Sequence, residues 1–101
     1  MTHVKMTLSC PAGLGEQVVE ALLESASLAG GFTTFPASGH GRDFVNASVR
    51  EKVRGRVDSV LIVTVLPAAD VQALLAGLRE RFSTPHLVYW TEPVHAFGDF
   101  G

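Results

Sequence analysis

The run Val60-Leu61-Ile62-Val63-Thr64-Val65-Leu66 constrains this chain more than any other stretch, because it is aliphatic throughout except at Thr64. Together with Val57 it reads as a strand, since β-branched side chains pack well on a pleated surface and crowd a helix. It is far short of the roughly 20 apolar residues that cross a bilayer as a helix. Leu61, Val63 and Val65 point to one side of such a strand, and Val60, Ile62 and Leu66 to the other. Any fold for this chain must therefore cover both faces of one strand. With 101 residues the chain has room for one domain, so 1–101 is read as a single unit.

Three other segments show a clear period. Val4, Met6 and Leu8 alternate with Lys5, Thr7 and Ser9, which gives a first strand with one buried face. After Pro11 and Gly13, Leu14, Val18, Val19, Leu22, Leu23 and Ala26 recur at three-four spacing, and Glu16, Glu20 and Glu24 form a solvated stripe opposite them. Gly30-Gly31 closes this helix, and Phe32-Thr33-Thr34-Phe35 begins a second strand that Pro36 places at a sheet edge. Beyond Leu66, Pro67 opens a second helix with Val71, Leu74, Leu75, Leu78 and Phe82 on one face and Arg79 and Arg81 in its last turn. His86 to Thr91 gives a fourth strand. The order β-α-β-β-α-β predicts an α+β, ferredoxin-like domain, an antiparallel four-stranded sheet with both helices on one face. Two helices cover only that face. The aliphatic groups on the other are each worth roughly 1.5 to 3 kcal/mol when fully buried, which predicts a homo-oligomer.

A net charge of -2 and strands one and three without aromatic residues argue against nucleic-acid binding. No secretory pattern is visible at the N-terminus and the one cysteine permits no internal disulfide, so the expectation is a cytoplasmic protein without membrane insertion. For catalysis there is no paired-carboxylate constellation, no Gly-x-Ser-x-Gly elbow and no P-loop. Cys10 and His86 resemble a nucleophile and base, but no third group orients the histidine. The chain is read as a non-enzyme.

The candidate site is the unpatterned stretch from Gly39 to Arg56, which is far longer than a hairpin loop of two to five residues. Arg42, Arg50, Lys52, Arg54 and Arg56 against Asp43 and Glu51 make it +3, and the rest of the chain -5. Gly39 and Gly41 let backbone N–H groups approach an anion, Arg42 supplies a bidentate fork, and Arg54 and Arg56 add charge. The alternative is a solvated loop with scattered charges. Cys10, His40 and His86 are the candidate ligands for a divalent metal or Cu(I). In the predicted topology Cys10, His40, Arg56 and His86 share one end of the sheet, but His40 and His86 lie roughly 14 Å apart at a strand spacing of about 4.8 Å. Cys10 and His86, on adjacent strands, can share an ion, whereas a site using His40 needs a neighbouring subunit or a fold-back of the loop.

The segment Phe35-Pro36-Ala37-Ser38-Gly39-His40-Gly41-Arg42 resembles the Gly-Phe-Gly-Arg-Gln root of the T-loop in PII signalling proteins, and Arg54-Gly55-Arg56 leading into Val60 to Pro67 resembles their return strand. Ser38-Gly39-His40-Gly41 with Leu87-Val88-Tyr89-Trp90 is similar to a small PII-like family associated with heavy-metal efflux systems of the resistance-nodulation-division type. The resemblance implies a homotrimer with sheets facing inward, effector binding in clefts between subunits, and a T-loop that engages a membrane transporter or its regulator. It places Gly39, Gly41 and Arg42 in an adenine-nucleotide cleft with Val65 near its base. Three departures follow from the residues. The PII glutamine is Asp43, unfavourable beside phosphates; the Gly- and Lys-rich loop before strand four is reduced to Ser83-Thr84-Pro85; and no loop tyrosine exists for uridylylation. A metal ion is the leading effector on this reading, with an adenine nucleotide or bicarbonate next and a metal-tolerance protein of the CutA kind as a third reading.

Overall fold

A computed structural model describes residues 2–28, 30–40 and 56–101 of the protein. Strand β1 (His3–Pro11) leads into helix α1 (Ala12–Leu23) and a 3-10 turn at Ala26–Leu28. Strands β2 (Thr33–Gly39) and β3 (Val57–Pro67) follow, then a 3-10 turn at Ala68–Asp70, helix α2 (Val71–Arg81) and strand β4 (Val88–Val94). The strands form one antiparallel sheet in the order β2-β3-β1-β4, the expected ferredoxin-like arrangement. The inner strands β3 and β1 are the most buried, and Pro36 and Pro93 sit on the edge strands, where a missing N–H is tolerated.

The core lies between the sheet and the helices. Met6, Leu8 and Cys10 of β1 and Ile62 and Leu66 of β3 pack with Val18, Ala21 and Leu22 of α1 and with Val71, Leu74, Leu75 and Leu78 of α2. Helix α1 can lie close over β3 because residue 15 is glycine. A Cβ there would stand 2.8 Å from Val60 Cγ1, inside any real carbon–carbon contact. Thr64, the polar interruption in the aliphatic run, is buried on the helix side, and its hydroxyl donates to the Gly31 carbonyl at 2.9 Å. That bond fixes the entry to β2 at a residue whose φ of +89° suits glycine.

Several boundaries differ from the periodic reading. Helix α1 ends at Leu23 rather than Ala26, and Ser25 N–H turns back to the Leu22 carbonyl at 3.0 Å. Leu23, assigned by spacing to the apolar stripe, is 71% exposed, whereas Ala21 is buried. Each residue step turns a helix by about 100°, and the narrow contact face set by Gly15, Val18 and Leu22 leaves Leu23 outside it. Strand β4 begins at Val88 rather than His86, because residues 85–87 form a turn in which His86 N–H donates to Thr84 Oγ1 at 3.1 Å. The glutamate stripe is solvated as expected, with Glu24 accepting from Arg81 at 2.7 Å. Among the described residues, no helix is long and apolar enough to cross a membrane.

Candidate functional site

Two features of this fold are positioned to bind something: the end of the sheet where β2 leaves and β3 enters, and the sheet face opposite the helices. At the first, Gly39 pairs with Val57 at the last rung of the β2–β3 ladder, so His40 and Arg56 are anchored at the same end by a regular hairpin stem. The stem is tight. A Cβ at Gly39 would stand 3.0 Å from Ser59 Oγ, so glycine permits the two backbones to close over that hydroxyl. His40 is exposed. Arg56 is half-buried, and its Nε is a buried N–H without a hydrogen-bond partner among the described residues. Buried donors are almost always paired, and a guanidinium N–H left unpaired costs more than a neutral one. Gly41, Arg42 and Arg54, the other residues assigned to an anion site, lie outside the described residues, as does most of the basic segment.

The remaining candidates are dispersed. Cys10 pairs with Val60, points toward the helices and is 2% exposed within the core, where desolvation raises its thiol pKa above the ordinary 9.0. The sequence pattern placed Cys10 correctly at the loop end of the sheet. What it did not reveal is that the alternation of Met6 and Leu8 continues to Cys10 and takes its sulfur inward. His86 lies in the turn before β4, on the opposite edge of the sheet from His40. Among the described residues, no three His, Cys, Asp or Glu side chains come together as a metal-ligand group. Val65 stands eight strand positions from Val57, about 26 Å along β3 at 3.3 Å per residue, so within one chain it is remote from Gly39.

The open face is assembled from register partners. One row runs Phe35, Leu61, Ser9, Val88, and the next Thr33, Val63, Thr7, Trp90. Phe35, Val88 and Trp90 are each more than two-fifths exposed, while Thr7, in the middle, is buried by its neighbours. Tyr89 faces the other way, toward α2, where the Arg79 guanidinium lies 6.0 Å from its ring centre.

The architecture is that of a PII-like fold: a ferredoxin-like sheet, helices on one face, and a long connection leaving the end of the β2–β3 hairpin. More narrowly, the chain belongs to the family described as Protein of unknown function (DUF3240), which it matches over residues 1–101. The crystal structure of a DUF3240 family protein from Shewanella baltica OS155 superposes with a TM-score of 0.78 at 22% identity, over 100% of this chain and 99% of that one. CPII, a nitrogen regulatory PII-like protein from Thiomonas intermedia K12 solved with ADP, AMP and bicarbonate, superposes with a TM-score of 0.70 at 17% identity, over 99% and 98%. A protein from Thermus thermophilus described as PII-like and signalling does so with a TM-score of 0.62 at 22% identity, over 93% and 88%. At these identities the likeness establishes the fold. No curated protein sequence matches the chain.

Proposed function

We propose that this chain is a PII-like regulatory protein rather than an enzyme. It assembles as a homotrimer through its open sheet face, binds a small effector at clefts between copies, and uses the segment between β2 and β3 to regulate a membrane transporter or its regulator. The observation that carries the reading is the root of that segment. There a tight glycine hairpin stem ends beside a guanidinium whose Nε is buried and, among the described residues, unpartnered. An anion bound at Arg56 would satisfy that donor, and a change at the root would be transmitted to the segment that continues from it.

This geometry favours an anion over the metal ion that the sequence put first. The metal reading needs ligands that converge, and of its three residues Cys10 is held in the core as a thiol while His40 and His86 stand at opposite edges. The anion reading needs a buried cationic donor left without a partner, and among the described residues Arg56 Nε is one. The ADP, AMP and bicarbonate held by CPII, a protein of the same fold, supply the probes.

The test is a thermal-shift series on the full chain with ADP, AMP, ATP, bicarbonate, zinc and copper(I), on the wild type, Arg56→Gln and His40→Ala. A ligand at a hundred times its Kd stabilises by about 2.7 kcal/mol, well within reach of the method. The expected result is stabilisation by an anion that Arg56→Gln removes and His40→Ala retains. Stabilisation by zinc or copper(I) alone, lost in His40→Ala, would return the effector to a metal ion.

A further inference from the structure

Apart from the two neighbours Lys5 and Glu92, no Asp, Glu, Lys or Arg lies on the open face of the four strands. Lys5 is flanked in register by Glu92 on β4 and Val65 on β3, one row beyond the Thr7, Val63 and Trp90 row. The pair is slack: Lys5 Nζ stands 3.8 Å from Glu92 Oε2, with the two side chains 45% and 50% exposed. A well-formed charged hydrogen bond between such groups is about 2.7–2.9 Å, so neither group has spent its bonding capacity. The ammonium carries three donors, and the carboxylate has about four acceptor positions.

An apolar face with one positive and one negative group side by side is complementary to itself. A foreign apolar surface laid on it would dry both charges while leaving each only its slack neighbour, and a buried pair without further hydrogen bonds does not recover its desolvation cost. A second copy brings the matching pair. We propose that Lys5 and Glu92 lock the register of the interface between copies, Lys5 of one copy bonding Glu92 of the next. The face then assembles with itself in one orientation and rejects other apolar surfaces. This rests on the homo-oligomeric reading above and adds to it which residues choose the partner and the alignment.

Sedimentation velocity over a dilution series of the full chain tests it, with circular dichroism confirming that each variant folds. Lys5→Glu and Glu92→Lys each set like charges against one another across the interface, a cost that is expected to weaken association by about ten-fold or more. The double reversal Lys5→Glu/Glu92→Lys is expected to restore it, and an equimolar mixture of the two single variants to assemble more tightly than either alone. That last result requires the contact to cross between copies. If a reversed variant does not fold, Lys5→Met and Glu92→Gln replace it, each expected to weaken association by a smaller factor. Single variants that associate as tightly as the wild type would overturn the lock while leaving the oligomer standing. A wild-type chain that stays monomeric at every concentration would overturn both.

Discussion

Leu61 and Ile62 are adjacent in β3 and nearly identical in volume and hydropathy, yet they belong to different parts of the molecule. Ile62 is 1% exposed beneath the two helices, while Leu61 is only partly covered, between Phe35 and Ser9 on the open face. Thr64 and Thr7 mirror them. Thr64 is buried on the helix side and spends its hydroxyl on a turn; Thr7 is buried on the open side by its strand neighbours. A strand's own composition therefore says that both faces want cover, while the topology alone says which one the chain covers for itself.

The largest expected effect breaks this comparison at its core. Ile62→Ala is expected to lose about 2–5 kcal/mol of stability by urea denaturation, the range for emptying a well-packed site. Leu61→Ala, measured at concentrations where copies dissociate, should lose clearly less. Equal losses would mean that the open face is already packed within one chain. Leu61→Glu sharpens the same contrast, since it is expected to abolish assembly in light scattering while the monomer keeps its far-ultraviolet spectrum. Next in size, Gly15→Ala places a methyl group 2.8 Å from Val60 Cγ1 and should cost about 1–3 kcal/mol by overpacking the α1–β3 contact.

Cys10 gives a pH-dependent effect confined to the helix side. Its folded-state pKa is raised by desolvation, so the unfolded chain loses the thiol proton first. Its contribution to stability is fully present below the ordinary value of 9.0 and is lost as pH rises toward the higher folded-state value. Urea titrations from neutral to alkaline pH should show a decline that Cys10→Ala reduces, and a thiol reagent should react slowly with the native protein and rapidly after unfolding. The smallest effect is at the exposed ion pair. Glu24→Ala removes the 2.7 Å contact with Arg81 and should cost about 0.2–1 kcal/mol, shrinking further in high salt.

The ferredoxin-like order was legible because each element carries its period in consecutive residues: alternation at Val4, Met6 and Leu8, three-four spacing at Leu74, Leu75 and Leu78, and edge status from Pro36. Where the reading slipped, non-local contacts decided. Leu23 fits the helical stripe but falls outside the narrow face that Gly15 allows against Val60. His86 has strand-like neighbours but is taken up in a turn with Thr84. The candidate site was legible as an address, the end of the sheet holding Gly39, His40 and Arg56, and less so as chemistry. Residue types marked Cys10 as a metal ligand, and continuation of the β1 alternation put its sulfur in the core. The Nε of Arg56, unpartnered among the described residues, has no counterpart in any sequence pattern, because pairing depends on what the fold brings near.

By itself the amino-acid sequence determined the periods, the order of elements and the excess of apolar surface over what two helices can cover. These are properties of residues close together along the chain, governed by backbone geometry and side-chain alternation. Only the tertiary structure decided which face of β3 became the core, that Thr64 ties down Gly31, that Arg81 reaches Glu24, and that Lys5 and Glu92 stand side by side. Each of those contacts joins residues from distant parts of the chain. Closing the sheet in the order β2-β3-β1-β4 is what makes them neighbours.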